Sequence, residues 1–147
     1  MPVPSDLIAA YRAAIYEIDV DGEPLAFQVD EQNPALDGYL AKRGAATGVF
    51  VTAYNPHSEV QAEEKNAVAH GALLEAVRRA GKEYVLARGR DADDSGPTEA
   101  GLFVFDLPRD DAVALARRFG QYAVVVVERG KAPALVFAVC VERSFGL

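Results

Sequence analysis

Residues 47–128 alternate between strand-like and helix-like patterns, and their order restricts the possible folds more than any other feature of the chain. Runs rich in β-branched and aromatic residues, which are typical of strands, begin at Thr47, Tyr84, Glu99 and Gln121. Stretches with apolar residues three and four positions apart, which are typical of helices, follow the first and the third run. The predicted order is therefore β-α-β-β-α-β.

That order, with right-handed crossovers, predicts an α+β fold with a ferredoxin-like split β-α-β-β-α-β core over residues 47–128. The strands that begin at Thr47 and Tyr84 then run parallel. The Glu99 strand lies antiparallel between them, and the Gln121 strand flanks the other side of the first strand. The ends of the first two strands and the starts of the other two would meet at one edge of the sheet.

The flanking segments predict additions to this core. Residues 1–46 predict an N-terminal helix capped by Ser5, a β-hairpin around an Asp-Gly pair and a second short helix. Residues 129–147 predict an extra C-terminal strand that pairs with the Gln121 strand. The Gln121 strand contains a run that is apolar at every position, which is typical of a strand covered on both faces. We expect the N-terminal helix and the hairpin to supply the cover of the second face, so that the N-terminal segment extends or covers the core.

The composition bounds the class of protein. The length of 147 residues, with no linker-like stretch, predicts a single domain over residues 1–147. Twenty-two acidic against fifteen basic residues give a net charge of −7, the wrong sign for binding a phosphate backbone, so no nucleic acid partner is predicted. No apolar run is long enough for a membrane span, and the first residues do not resemble a signal peptide. The lone Cys140 lies in an apolar run and is interpreted as a small buried side chain, so we expect a cytoplasmic protein.

No metal and no cofactor are predicted. The two histidines and the one cysteine do not stand at metal-ligand spacing. The acidic loop before Glu99 resembles half of a calcium loop, with Asp91, Asp93 and Ser95 in alternation. Leu102, however, stands where a bidentate glutamate would be required. We interpret this segment as a solvated acidic loop.

The stretch after the first strand combines signals for a turn and for a helix start. Asn55-Pro56 ends the strand, because a residue before proline avoids the helical region. Ser58 with Gln61 three positions later predicts a capping box, so a long helix is expected to begin at Ser58 and to end at Gly81. His57 and Ser58 are not interpreted as a base and a nucleophile, because adjacent residues in a turn rarely place the imidazole against the neighbouring hydroxyl.

Asn66 interrupts the apolar face of this helix. At 100° per residue it projects with Leu73 and Val77, so its amide is expected to be buried. A buried amide without partners is costly, and we expect Asn66 to find them in the turn at Asn55. His70 on the same face is interpreted as a packed or half-exposed histidine. Both a structural role and a ligand role remain open for Asn66.

The predicted strand order brings polar residues from several elements to one edge of the sheet. An arginine beside a glutamate can hold a carboxylate, an amide or a peptide end, and asparagine and glutamine add donors and acceptors. The same groups could instead cross-link the strand ends. The candidate ligand-binding residues are Asn55, Ser58, Asn66, Arg90, Glu99 and Gln121.

Four stretches of the chain, "FVTAYNPHS", "NAVAHGALLEAV", "GRD…PTEAGLFVF" and "LARRFGQYAVVV", together resemble the bacterial family called Domain of Unknown Function 3293. The resemblance runs from about Leu7 to Phe137. Tyr54 and the residues just before Glu99 stand where the family tends to have tryptophan, which implies an altered pocket if those tryptophans line one. The family name implies no activity. The polar residues of the family fall on Thr52, Asn55, Pro56, Ser58, Asn66, Gly89, Asp91, Glu99 and Gln121.

We therefore expect a binding module that holds a small polar molecule or a peptide segment at this edge. One alternative is an enzyme in which Glu99 is the general acid or base, with Arg90, Asn55 or Gln121 stabilising developing charge. This alternative predicts that burial raises the pKa of Glu99. Another alternative is a protein interaction domain that pairs through its C-terminal strand, and the sequence leaves homodimerisation open.

Overall fold

The computed structural model of the chain describes residues 3–93, 96 and 98–139. Within these residues the chain forms four α-helices, seven strands and one 3₁₀ turn at Pro56–Ser58. The helices are α1 (Ser5–Ala13), α2 (Pro34–Arg43), α3 (Glu63–Arg79) and α4 (Arg109–Arg118). The strands are β1 (Ile15–Val20), β2 (Glu23–Phe27), β3 (Thr47–Thr52), β4 (Tyr84–Arg90), β5 (Glu99–Phe105), β6 (Ala123–Glu128) and β7 (Ala134–Phe137).

All seven strands belong to one sheet in the order β2-β1-β4-β5-β3-β6-β7, and every neighbouring pair is antiparallel. β5 lies between β3 and β4, and β6 flanks the other side of β3, which are the neighbours that the sequence pattern predicts. The protein is therefore a mixed α/β structure built on a seven-stranded antiparallel sheet.

The N-terminal hairpin extends this sheet. Asp21 and Gly22 join β1 to β2 with φ angles of 53° and 86°, which is the conformation that a two-residue hairpin turn requires. β1 also pairs with β4, so the hairpin becomes one end of the sheet. The second predicted helix is α2, which Asn33 caps by accepting a 3.0 Å hydrogen bond from the amide of Leu36. The hairpin and the second helix are confirmed.

Apolar side chains cover both faces of the sheet. On one face, which we call the α2 face, the cluster includes Leu36 and Leu40 of α2. On the opposite face the cluster draws on α3 and α4. Strand β6 contributes Val125 and Val127 to the first cluster and alternate valines to the second. The predicted coverage of this strand on both faces is confirmed. The helix that covers the second face in this cluster is α2, whereas the hairpin extends the sheet.

The long helix begins five residues later than the capping signature predicts. α3 starts at Glu63, its N-cap residue is Ala62, and the hydroxyl of Ser58 is 2.8 Å from that of Tyr11. Ser58 has φ 58°, in the left-handed region, so it cannot start a right-handed helix. The capping box prediction is therefore wrong, and Gln61 bonds to other partners.

The predictions for the two ends of the chain have different outcomes. The N-cap of α1 is Pro4, and Ser5 is the first helical residue, so the predicted capping role of Ser5 is wrong. β7 pairs with β6 as predicted and lies at an edge of the sheet. Its pairing with a partner protein stays a prediction. Cys140, like Ser95 of the acidic loop, lies outside the described residues.

Candidate functional site

Strand register places polar side chains on the α2 face at one end of the sheet. Thr52 of β3 pairs with Gly101 of β5, and Phe50 pairs with Val125 of β6. Because side chains alternate between faces, Glu99 lies on the same face as Gly101, two residues before it. The same alternation places Gln121, which precedes β6, on the face of Val125. On the α2 face, the side chains of β3, β5 and β6 are therefore apolar along most of each strand and polar at the same end of the sheet.

A cavity of about 280 Å³ opens at this end. The inner wall is largely apolar and aromatic. One side is lined by Leu7, Ala10 and Tyr11 of α1 and by Ala14, which follows this helix. Five of the six residues predicted for the site line the cavity, and Asn66 is the exception. The five lining residues are Asn55, Ser58, Arg90, Glu99 and Gln121.

Asn66 lies behind the cavity wall and fixes Asn55. The backbone amide of Asn55 donates to Oδ1 of Asn66, and Nδ2 of Asn66 donates to Oδ1 of Asn55, both at 2.9 Å. Gln61 completes the cluster, because its backbone amide donates to Asn55 Oδ1 and its Nε2 donates to Asn66 Oδ1. Both asparagines are buried, with 8% and 2% exposure. The expected partnership of Asn66 with the turn at Asn55 is confirmed.

Glu99 is the carboxylate held by this cluster. Nδ2 of Asn55 donates a 2.7 Å hydrogen bond to Oε2 of Glu99. Burial raises the pKa of Glu99, the hydrogen bond from Asn55 opposes this increase, and the charge of Asp91 adds to it. This upward shift is the direction that the enzyme alternative predicts.

Gln121 ties β6 to the end of β3. Its Nε2 donates to the backbone oxygen of Tyr54 at 2.9 Å and to that of Phe119 at 3.3 Å. Both partners are carbonyl oxygens, so the orientation of the amide follows from the hydrogen bonds. The carbonyl oxygen of Gln121 is therefore the part of this side chain that a ligand could use.

Arg90 contributes to the cavity from β4. Its Nε lies 3.7 Å from Oε1 of Glu17, which also accepts a 2.8 Å hydrogen bond from Arg88. In the pairing of β4 with β5, Gly89 stands opposite Glu99. Because side chains alternate between faces, the next residue, Arg90, belongs to the opposite face of the sheet from Glu99, together with Arg88. Arg90 and Glu99 both belong to the cavity lining, but Nε of Arg90 makes its ion pair with Glu17.

The turn between β3 and α3 is strained. Asn55, His57 and Ser58 have φ angles of 46°, 61° and 58°, although none of them is glycine. Such conformations cost of order 1–3 kcal/mol each and cluster at functional sites. The turn is held by a 2.8 Å hydrogen bond from the amide of His57 to the carbonyl of Gly120. Tertiary contacts therefore hold the backbone at this wall of the cavity in a conformation that these residues rarely adopt.

The two histidines have other surroundings. The ring of His70 packs edge-on against Tyr54, its Nδ1 is buried without a hydrogen bond from the described residues, and burial lowers its pKa. The ring of His57 is tilted by 57° relative to that of Tyr122, with 6.1 Å between ring centroids. Among the described residues, no three His, Cys, Asp or Glu side chains are grouped so that they could hold a metal ion.

The main feature that sequence reasoning missed is the contribution of α1. The pattern of α1 indicates an apolar face that includes Leu7 and Tyr11, but it does not show which part of the sheet this face covers. Tyr16 of β1 also lines the cavity, and its hydroxyl donates to the carbonyl of Tyr11. Three further residues that the family resemblance implied lie in the lining: Thr52, Gly89 and Asp91.

The fold and the cavity define a mixed α/β protein with a cavity beside its first helix that combines an apolar wall with a few polar side chains. The chain belongs to the family described as "Protein of unknown function (DUF3293)", whose model matches residues 51–124, about half of the chain. This range is shorter than the resemblance that we expected, but it contains all six predicted site residues and excludes α1. No curated protein and no solved structure matches the chain significantly. Within the described part of the chain, no helix is both long and apolar enough to cross a membrane.

Proposed function

We propose that this protein is a binding module for a small polar ligand or a peptide end, held in the cavity beneath α1. The observation that carries this proposal is that a concave site of about 280 Å³ contains five of the six predicted polar residues together with an apolar wall. Such a combination of a largely apolar lining and a few convergent polar groups is typical of ligand sites. The volume suits a small molecule or one terminal side chain.

Preorganisation supports the proposal. Asn55 uses its backbone amide and its side-chain oxygen to bond within the asparagine cluster, and only its Nδ2 extends to Glu99. A second layer of hydrogen bonds thus fixes the side chain that orients Glu99, which reduces the ordering that a ligand must otherwise impose. The strained turn at His57 and Ser58 points the same way, because strain that the fold maintains often has a functional reason.

A thermal-shift screen of metabolites, amino acids and short peptides tests this function. A ligand at one hundred times its Kd is expected to stabilise the folded protein by about 2.7 kcal/mol. Ala10→Phe places a ring on the α1 side of the cavity and is expected to abolish the stabilisation by any hit. Ala9→Phe is the matched control, because Ala9 is an exposed neighbour on α1 and does not line the cavity. A screen without a stabilising compound, or a hit unaffected by Ala10→Phe, would contradict the proposal.

A second candidate function is enzymatic, and the raised pKa of Glu99 in the cavity favours it. Glu99 would act as general acid or base, and Asn55 would orient its carboxyl group. Its test is whether a ligand found in the screen is converted by the wild type and bound without conversion by Glu99→Gln. Release of every ligand unchanged by the wild type would argue against it.

We also infer a ferredoxin-like arrangement for the part of the sheet formed by β3 to β6. The order β4-β5-β3-β6 supports it, together with helices that follow β3 and β5. A cytoplasmic location is a further proposal, supported by the single cysteine. Fractionation of cells that express the tagged protein would test this location.

A further inference from the structure

Glu99 and Gln121 present acceptor atoms to the cavity. Nε2 of Gln121 is occupied by two carbonyl oxygens, whereas its Oε1 accepts no hydrogen bond from the residues that the structure describes. Oε2 of Glu99 accepts from Asn55, while Oε1 of Glu99 has no donor among those residues. The polar atoms of Asn55 are already engaged within the protein. A ligand that donates hydrogen bonds therefore fits better than one that accepts them.

The charges of the lining lead to the same requirement. Glu99 and Asp91 are carboxylates, and Arg90 is the one cationic residue in the described lining. The guanidinium of Arg90 is also near Glu17, with 3.7 Å between Nε and Oε1. Negative charge therefore exceeds positive charge at the cavity, and the net charge of −7 on the whole chain adds a field of the same sign.

The apolar wall limits the rest of the ligand. Tyr16 and Phe50 lie side by side with 4.9 Å between ring centroids, and both line the cavity together with Leu135 and Leu7. An alkyl or aromatic group would bury its surface against these side chains. Aromatic faces also attract cations, so they do not oppose a positively charged head group.

We propose that the cavity takes a small organic cation, namely a primary ammonium group on a short apolar body. This inference rests on the proposed binding function of the cavity. The ammonium donates hydrogen bonds to Glu99 and to the carbonyl oxygen of Gln121, and the apolar body packs on Tyr16 and Phe50. A carboxylate ligand would instead meet the charge of Glu99. The hydroxyls of Ser58 and Tyr11 already bond to each other and would offer it few donors.

Binding of phenethylamine, measured by two-dimensional NMR titration of the full chain at neutral pH, tests this ligand class. 3-Phenylpropionate and 3-phenylpropanol are the anionic and neutral analogues of similar size. We expect phenethylamine to shift signals of cavity residues and to bind at least about tenfold more tightly than either analogue, because hydrogen bonds to charged groups are the stronger ones.

Variants then locate the charge that is recognised. Glu99→Gln keeps the size of the side chain and its bond from Asn55, and is expected to weaken phenethylamine binding at least about tenfold. Asp91→Asn provides a second variant at the rim, with an expected loss of about two- to threefold from weaker electrostatic attraction. Glu23→Gln is the matched control, since it removes the same charge from an exposed position on β2 and is expected to leave the affinity unchanged.

The outcomes separate the ligand class from the binding function. Tight binding of the amine that Glu99→Gln weakens and Glu23→Gln does not would support the proposal. Two results would contradict the proposal that the ligand is a cation but leave the binding function intact. One is that an analogue binds and the amine does not, and the other is that the two glutamine variants weaken amine binding equally. If no probe binds and the broader screen also yields no stabilising compound, both the cation and the binding function are wrong.

Discussion

Asn55 and Asn66 are eleven positions apart and exchange two 2.9 Å hydrogen bonds in a buried site. Asn55 lies just after β3, and Asn66 lies near the start of α3. The pair therefore joins the strand to the helix directly behind the cavity. Gln61 also bonds to both asparagines and therefore ties the segment that precedes α3 to the same pair.

Removal of the Asn66 amide is expected to destabilise the fold. Asn66→Ala leaves the amide of Asn55 and the Nε2 of Gln61 without their partner. It also removes one of the two donors to Oδ1 of Asn55, which keeps the backbone amide of Gln61. The expected loss is about 1–3 kcal/mol in urea unfolding, the cost of unsatisfied buried polar groups. Lys65→Ala, at an exposed neighbouring position, serves as control and should stay within about 0.5 kcal/mol of the wild type. An equally small effect of Asn66→Ala would mean that water replaces the amide.

The double variant Asn55→Ala with Asn66→Ala measures how far the two residues act as a unit. Asn55→Ala leaves Nδ2 of Asn66 without its acceptor, and Asn66→Ala leaves the backbone amide of Asn55 without its acceptor. The two losses should therefore sum to more than the loss in the double variant. A coupling of about 1 kcal/mol or more in this cycle is expected for residues that share one hydrogen-bond network. Additive losses would show that the exchange of hydrogen bonds contributes little.

Periodicity made part of this site predictable. The 100° spacing of helical residues placed Asn66 on the buried face of α3, and the alternation along strands placed Glu99 and Gln121 at the polar ends of apolar rows. The order of four strands then brought these ends together. Each of these inferences depends on a spacing of apolar residues that repeats over several positions, so one irregular residue does not change the prediction.

Single local signatures were less reliable. Ser58 and Gln61 have the spacing of a capping box, yet the partners of Gln61 are the two asparagines, and Ser58 bonds to Tyr11. Tertiary hydrogen bonds thus outweighed the local signal. The position of α1 over the cavity depends on which patch of the sheet its apolar face covers, and that choice is made by packing between distant segments.

Relief of backbone strain at His57 is expected to stabilise the protein. His57 has φ 61°, which glycine adopts without steric cost. His57→Gly should raise the free energy of unfolding by about 0.5–1 kcal/mol after allowance for the greater flexibility of glycine in the unfolded chain. Asp21→Gly in the β1–β2 turn, where φ is 53°, is the control. Its gain should be smaller, because aspartate tolerates this region better than histidine in a turn. A loss of stability in His57→Gly would show that the imidazole packing matters more than the strain.

Gly101 is required by the close approach of β3. A Cβ atom at Gly101 would lie 2.7 Å from the backbone oxygen of Val51 and 2.9 Å from the ring of Phe50. Gly101→Ala is therefore expected to cost about 1–3 kcal/mol in urea unfolding, the range for overpacking. Gly71→Ala in α3 is the matched control, since a Cβ there meets no atom within 4 Å, and it should stabilise the helix by about 0.5–1 kcal/mol. Similar effects of the two substitutions would contradict the tight approach.

The pH dependence of stability should report the burial of Glu99. Because burial raises the pKa of Glu99, the folded protein holds this proton more tightly than the unfolded chain does. The unfolded state therefore loses the proton first as pH rises, and the contribution of Glu99 to stability decreases between about pH 4 and the raised pKa in the folded state. Glu99→Gln has no such titration, so its stability relative to the wild type should increase from about pH 4 to about pH 7.

Urea unfolding at both pH values measures this difference, and Glu23→Gln on β2 controls for the change in net charge. The same pH dependence in wild type and Glu99→Gln would show that the carboxylate of Glu99 is as well solvated in the cavity as in the unfolded chain.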